Sequence, residues 1–504
     1  MLSARLEVEP CYNTTLCRIA WQNVAMRRAY VIGSGPNGLS AAIVLAQAGV
    51  DVEVFEAETE PGGGARTLPL TLPGYLHDFG SAVHPMAAGS PFFATLPLGH
   101  YGLAWVDGEA ALAHPLDDGT AVMLEHDLAD QDREFGSDAE AWRGLVEPLV
   151  DEWPSFVRDA LGPVVRVPSH PVLMSRFGLA AFQPARRLAN QRFVETRTRA
   201  LFAGLAAHSF LRLDDALSSA VGLVLGASAH SVGWPVLQGG SGSISQALIR
   251  HLESLGGKLH TASRVDTQMF RGWNEPDVAT FFDTSPRQLA AIAGDCLTPG
   301  FRELMEHFKL APGVFKIDYA LSEPVPWRAA ECRRAITVHL GGPLEEIAVS
   351  EDAMARGRTA ERPFVLIAQP SLFDETRAPQ GRHTLWAYCH VPNGSTFDMT
   401  ERMEAQIERF APGFRDCILA RHISTPAILE QMNANLLGGD ISGGAMTMRQ
   451  FLLRPTALTY ETSAPNLFLC SSSTPPGGGV HGMCGYRAAQ VALRRMQLRW
   501  SGSE

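Results

Sequence analysis

Apolar positions along this chain switch between strand-like and helix-like spacing, and the first clear switch comes early. Ala29-Tyr30-Val31-Ile32 is a short apolar run of β character, the stretch from Leu39 to Ala48 reads as a helix, and Val50, Val52 and Val54 alternate as a second strand. Gly49 closes the helix between them. Further on, an amphipathic helix runs to Leu255 and a strand falls near Leu259. Near the far end, Leu467-Phe468-Leu469-Cys470 reads as a buried strand, and a helix is expected from Tyr486 to about Leu498. The intervening segments, roughly 91–235 and 301–455, mix helical stretches with strands.

The glycines between these elements give the pattern chemical content. Gly33-Ser34-Gly35-Pro36-Asn37-Gly38 joins the first strand to its helix, as a dinucleotide loop requires. The first glycine permits the tight turn, the second lets a diphosphate approach the backbone, and the third lets helix and strand pack. The helix start then offers free N–H groups to the phosphates. Glu56 ends the second strand about twenty residues on, where a carboxylate can accept from ribose hydroxyls. Pro61-Gly62-Gly63-Gly64-Ala65-Arg66-Thr67 follows, with Gly63 and Gly64 for close backbone approach and Arg66 for phosphate. Downstream, Gln238-Gly239-Gly240-Ser241-Gly242 opens the amphipathic helix, and Pro475-Pro476-Gly477-Gly478-Gly479-Val480-His481-Gly482-Met483-Cys484-Gly485 precedes the last one. That last loop puts backbone donors and a helix dipole where a reduced, anionic ring system would be stabilised.

With a Gly-Gly doublet and an Arg after the ribose-binding acid, the chain resembles the FAD superfamily of amine oxidases, phytoene desaturases and Rab GDP dissociation inhibitors. Gly74-Tyr75-Leu76-His77-Asp78-Phe79-Gly80, Asp283-Thr284-Ser285-Pro286-Arg287, Gly381 to Gly394, Gly438-Gly439-Asp440-Ile441 and the His481 to Tyr486 ending narrow the resemblance. It is to the phytoene desaturase-like FAD oxidoreductases, in the branch named after a pyridine nucleotide-disulfide oxidoreductase domain, over about residues 27–494.

The resemblance implies an α/β fold: a Rossmann-like FAD-binding domain of glutathione reductase/amine oxidase type with a discontinuous α+β substrate domain. The expected division is 27–90 with 236–300 and 456–500 for FAD, and 91–235 with 301–455 for substrate. FAD is the implied cofactor. Its expected contacts are Gly33, Gly35, Pro36, Asn37, Gly38, Glu56, Ala57, Gly63, Gly64, Arg66, Thr67, Gly80, Ser81, Val265, Gly478, His481, Gly482 and Met483. Two departures stand against the branch's name: there is no Cys-x-x-Cys and no second strand-linked Gly-x-Gly-x-x-Gly. NAD(P)H is therefore not expected as an obligatory partner. The stretch from Val265 to Phe282 is also short for the hairpin found in many phytoene desaturase-like proteins.

Composition narrows the remaining choices. A chain of 504 residues exceeds one core and suggests two domains. Hydrophobic residues at 46% describe a globular protein, and a net charge of -11 argues against nucleic acid as partner. Eight cysteines without metal spacing point to a reducing compartment, so a cytoplasmic location is expected. Ala216 to Ile249 carries no charged residue, but its Ser and Gly content favours a buried or cavity-lining segment over a membrane span. Peripheral membrane contact remains the second reading of that segment. No secretory signal is legible in the first 25 residues, and Met26 stands immediately before the basic pair Arg27-Arg28 that opens the first strand, so residues 1–26 are expected to be a disordered extension or an annotation artefact with Met26 as the natural start.

Flavin chemistry needs proximity, orientation and a dry pocket more than a protein nucleophile. His481 and Tyr388 are the expected catalytic residues, with His84, His208, His230, His390 and Asp440 as further base candidates. Trp234, Trp386 and Phe373 are candidates for an apolar pocket or for core packing. The expected reaction is dehydrogenation or desaturation of a lipid-, isoprenoid- or polyene-like substrate, with oxygen or quinone as acceptor. Amine oxidation, flavin-dependent isomerisation and a non-catalytic escort role are the alternatives. Cys484 offers a conceivable covalent flavin link, with packing as its other reading.

Overall fold

The computed structural model describes residues 26–273, 275 and 277–495. The expected extension therefore lies outside the described residues, apart from Met26, which is buried in the core.

The predicted strand, helix and second strand form at Arg28–Ile32, Pro36–Gln47 and Asp51–Phe55. Pro36 begins the helix in the first-turn position where its missing N–H costs nothing. The two strands are neighbours in a five-stranded parallel sheet whose spatial order is Leu467–Leu469, Val278–Phe282, Arg28–Ile32, Asp51–Phe55, Lys258–His260. Parallel sheets are covered on both faces, which favours strands buried along their length in the interior of the sheet, whereas Asp51–Phe55 still alternates. Val278–Phe282 is buried along its whole length and was not anticipated as a strand. The helix Pro36–Gln47 packs against Gly242–Ser254 and Met483–Arg495. Segments from both ends of the chain thus meet in one layer.

A second, seven-stranded sheet has the order Ile418–Ser424, Gly313–Leu321, His383–Val391, Val365–Ala368, Ala335–Leu340, Ala110–Pro115, Ala121–Leu124. Its neighbours are antiparallel except Ala335–Leu340 with Ala110–Pro115, which run parallel. Side chains alternate between the faces of a strand. One face, with Phe315, Ile317, Tyr319, Ala387 and Cys389, is sealed by Met403, Ile407 and Phe410 of the helix Thr400–Phe410. The opposite face looks towards the cofactor sheet. The uncharged stretch from Ala216 forms the helix Ser218–Val232, and no helix among the described residues is long and apolar enough to cross a membrane.

Candidate active site and cofactor cleft

A cavity of about 770 Å³ runs between the two sheets, towards the upper end of the range for small-molecule and cofactor sites. Gly33 (φ 101°), Gly35, Pro36, Asn37, Glu56, Ala57, Gly63 and Gly64 line one end. Gly33 donates its N–H to the carbonyl of Phe55 at 2.8 Å, which brings the loop over the second strand. Ser34 donates from both N and Oγ to Glu56 Oε2, at 3.0 and 2.6 Å, and Glu58 N–H donates to Oε1 at 3.0 Å. The carboxylate is therefore held in place before any ligand arrives. A methyl group on Gly63 would stand 3.0 Å from Gly35 Cα, so the two glycine loops close on each other in a cleft that side chains would fill.

These residues fit FAD. The glycine loops supply backbone for the diphosphate and Glu56 supplies the ribose acceptor. The buried atoms Asn37 Oδ1, Ser81 Oγ and His84 Nδ1 have no protein partner on the same wall. Gly80, Ser81, Val265 and Gly478 also line the cavity. Arg66 does so too, but it is held by the carbonyls of Gly63 and Met432, both at 2.9 Å, and lies 4.5 Å above the Phe79 ring. Gly38, Thr67, Gly482 and Met483 do not line the wall. Gly38 packs beneath the loop, and Thr67 donates to Asp78 Oδ1 at 3.0 Å.

His481 departs from expectation. Gly482 (φ 68°) turns the loop so that His481 Nδ1 accepts the N–H of Met483 at 3.1 Å, and the ring sits buried behind the wall formed by Gly477 to Val480. Burial pulls its pKa down to about 4. It anchors the start of the last helix, the alternative to acid/base work at the ring. Cys484 likewise points away from the cavity, donating towards the carbonyls of Thr474 and Gly477, and burial pushes its thiol up to about 12. That placement is a packing role.

The other end of the cavity is built on the open face of the seven-stranded sheet. Pairing puts Lys316 opposite Tyr388, Asp318 opposite Trp386 and Tyr388 opposite Leu366, so these side chains share one face. Lys316, Trp386, Tyr388, Val314, Leu366 and Thr337 reach the wall, together with Phe210, Val221, Leu225 and Trp234 from the helical layer. Lys316 forms a buried ion pair with Asp318, and its Nζ lies 5.8 Å from the Trp386 ring centre. Burial lowers the pKa of Lys316, and it raises Asp318 to about 6 against the pull of the lysine. Behind the pair, Arg377 and Asp78 form a second buried ion pair at 2.7 Å.

Of the histidines, His84 and His208 line the cavity and burial keeps both neutral, at about 4 and about 3. His208 Nε2 shares a hydrogen bond with His339 Nε2 at 3.0 Å. His390 lies behind the wall on Glu351, and His230 accepts from Trp142 Nε1 at 3.0 Å outside it. Asp440 lines the cavity but is tied to the amides of Ala311 and Ser442, both at 2.8 Å. Phe373 packs in the core instead.

Among the wall residues that the sequence reading did not single out are Lys316, and Asp283, whose segment was noted only as a resemblance. A signal for Lys316 exists. Lys316 and Asp318 are two residues apart in an otherwise apolar strand, which puts both charges on one face.

With the geometry in hand, relatives can be placed beside it. The family profile of the flavin containing amine oxidoreductases matches residues 37–267. The pyridine nucleotide-disulfide oxidoreductase domain-containing protein 2 of Mus musculus is 27% identical, over 93% of this chain and 94% of the mouse protein. The lycopene-forming phytoene desaturase of Pseudescherichia vulneris is 22% identical, over 93% and 99%. Among solved structures, an oxidoreductase from Methanosarcina mazei superposes with a TM-score of 0.61 at 16% identity, over 93% of this chain and 100% of the other. A putrescine oxidase with putrescine bound does so at 0.58 and 17%, over 94% and 99%.

Fold, cleft and relatives together define an FAD-dependent oxidoreductase. Within that class the chain is phytoene desaturase-like, built on the amine oxidase type of FAD fold.

Proposed function

We propose that the chain is a dehydrogenase or desaturase of an apolar, lipid-, isoprenoid- or polyene-like substrate, with oxygen or quinone as the electron acceptor. The observation that carries this reading is the character of the cavity's substrate end. Val221, Leu225, Val314, Leu366 and the aromatic rings surround it, and the charged side chain on that face of the wall is a lysine. The wall carboxylates Glu56, Glu58, Asp266 and Asp283 cluster around the cofactor loops, away from that end. A cationic amine would meet Lys316 there, and the one acid beside it, Asp318, is already engaged by that lysine and does not reach the wall.

Bound FAD supplies the hydride acceptor, and the protein supplies position and dryness. Gly33, Gly35, Gly63, Gly64 and Glu56 would hold its dinucleotide part, and the Gly477 to Val480 loop the ring. Trp386 and Tyr388, perpendicular at 5.0 Å between centres, brace an apolar chain from one side. Lys316 holds a proton donor at the same wall, where it can carry an ordered water. The decisive experiment is an anaerobic titration of the FAD-loaded protein with polyenes, isoprenoids, fatty acyl compounds and amines. Bleaching of the flavin band by an apolar class is expected; bleaching by amines alone would replace this reading with amine oxidation.

An apolar substrate also suits a cytoplasmic protein working at a membrane surface, and one face of the molecule supports that life. Gly162 to Val194 contains five arginines and no acid in a chain of net charge -11. The outward stripe of the helix Pro171–Ala181 is Val172, Arg176 and Leu179, continued by Phe182. Val165 and Val167 precede that helix in the chain and are exposed, Val167 at 89%. Phe182 meets Phe451 of the helix Met448–Leu452, which follows the cavity-lining residues Gly443, Gly444 and Met446. Apolar side chains among arginines match an anionic lipid surface. Co-sedimentation with phosphatidylcholine vesicles containing phosphatidylglycerol is expected, and the pair Val167→Asp with Leu179→Asp should abolish it. Equal sedimentation of wild type and variant would rule this face out.

A further inference from the structure

Asp283 follows the strand Val278–Phe282, the neighbour of Arg28–Ile32, and stands directly under the dinucleotide loop. Its Oδ2 accepts the N–H of Gly38 at 2.9 Å, and the Gly35 amide also points at the carboxyl group. A methyl group on Gly35 would lie 2.5 Å from Oδ2, and one on Gly38 2.9 Å from it, so the loop has glycine there partly to make room for this side chain. Asp283 also lines the cavity. An acid therefore sits where a glycine loop and helix start are built to receive an anionic diphosphate.

The groups packed around it offer no positive charge. Glu56 approaches from the second strand, and the thiols of Cys470 and Cys484 approach from the last strand and helix. No Lys or Arg among the described residues forms an ion pair with Asp283. The backbone carbonyl of Asp283 is held separately, accepting from Asn435 Nδ2 at 3.4 Å, which leaves the carboxyl to the loop.

We propose that Asp283 is a cofactor-binding residue that meets the FAD diphosphate as a neutral carboxylic acid, so that loading the cofactor above neutral pH takes up one proton. Ionised, the side chain would place a second negative charge beside the diphosphate with no ion-pair partner of its own; Arg66 on the same wall is held by the carbonyls of Gly63 and Met432. Neutral, it keeps its acceptor bond from Gly38 and has an O–H to donate.

Burial pushes Asp283 up to about 7, with Glu56 adding to the rise and the two amides opposing it. The sign follows from linkage. A group whose pKa rises on binding favours the complex fully below its free value, and that advantage falls as pH climbs through and beyond it. Affinity for FAD should be flat below pH 7 and weaken by about tenfold per pH unit above it, until the complex itself ionises. Cys470 is held well above its ordinary value and Cys484 is pushed up to about 12, so the thiols stay neutral across this window.

The test uses the full chain stripped of flavin and titrated with FAD by fluorescence quenching from pH 6.0 to 8.5, with calorimetry at pH 8 in buffers of different ionisation enthalpy. Wild type should show the falling profile and uptake approaching one proton. Asp283→Asn should bind as wild type does at pH 6, stay flat and take up none. A flat wild-type profile, absent proton uptake, or an unchanged slope in Asp283→Asn would overturn the proposal. Should the variant fail to fold, the wild-type profile and proton count decide alone. Because the readout is FAD binding, its failure leaves the substrate reading of the cavity untouched.

Discussion

One methyl group at position 485 is expected to strip the protein of its flavin. Gly485 lies in the first turn of the helix Met483–Arg495, which packs across the helix Pro36–Gln47. A Cβ there would fall 1.7 Å from the carbonyl oxygen of Asn37 and 2.9 Å from the amide of Ala41. Both are backbone atoms, so the clash cannot be relieved by a rotamer change and the helices must separate. Overpacking of this kind costs about 1–3 kcal/mol or more. The atoms that move belong to the turn presenting the dinucleotide loop, and a shift near 1 Å there undoes the alignment of its donors. Gly485→Ala should therefore purify nearly colourless, with Tm several degrees below wild type. Full flavin content with unchanged Tm would contradict the packing.

The second large effect is expected at Lys316. Lys316→Met leaves Asp318 buried without its cation, and breaking such a pair costs about 3–5 kcal/mol. Asp318 already sits at about 6 with the lysine present, and losing that positive charge moves it higher. An acid whose folded pKa lies above its unfolded one loses stability as pH rises between the two values, so the variant should suffer more at pH 8 than at pH 5 in urea unfolding. Adding Asp318→Asn removes the orphan charge and should recover most of the stability. Flavin reduction by substrate in the double variant should nevertheless stay slower by about a hundredfold, the scale of a lost positioned proton donor. Recovery of both stability and rate would reduce the pair to a structural one.

These two residues also mark where the sequence is readable. The loop from Gly33 to Gly38, its helix and Glu56 were legible because each lies within one strand-helix-strand unit. Gly485 was visible as part of a glycine-rich loop, but its contact with Asn37 spans the chain. Lys316 and Asp283 depend on register: Lys316 faces the cavity because Gly313–Leu321 pairs with His383–Val391, and Asp283 meets a loop some 245 residues away. His481 was placed near the ring by its position in the loop, whereas the turn at Gly482 directs it inward. Val278–Phe282 was missed because a five-residue apolar run carries no period that separates a buried parallel strand from other core.

The order of strands in the cofactor sheet has a consequence for biosynthesis. Val278–Phe282 lies between the first strand and Leu467–Leu469, so its second edge stays open until the closing part of the chain has left the ribosome. At ordinary elongation rates, the interval between synthesis of Val278–Phe282 and of Leu467–Leu469 is about 10–40 seconds. Throughout it, the nascent protein carries an unpaired apolar edge and half a glycine cleft, a form suited to chaperones rather than to cofactor. Flavin capture is thus a late event, and the same event that seals the sheet.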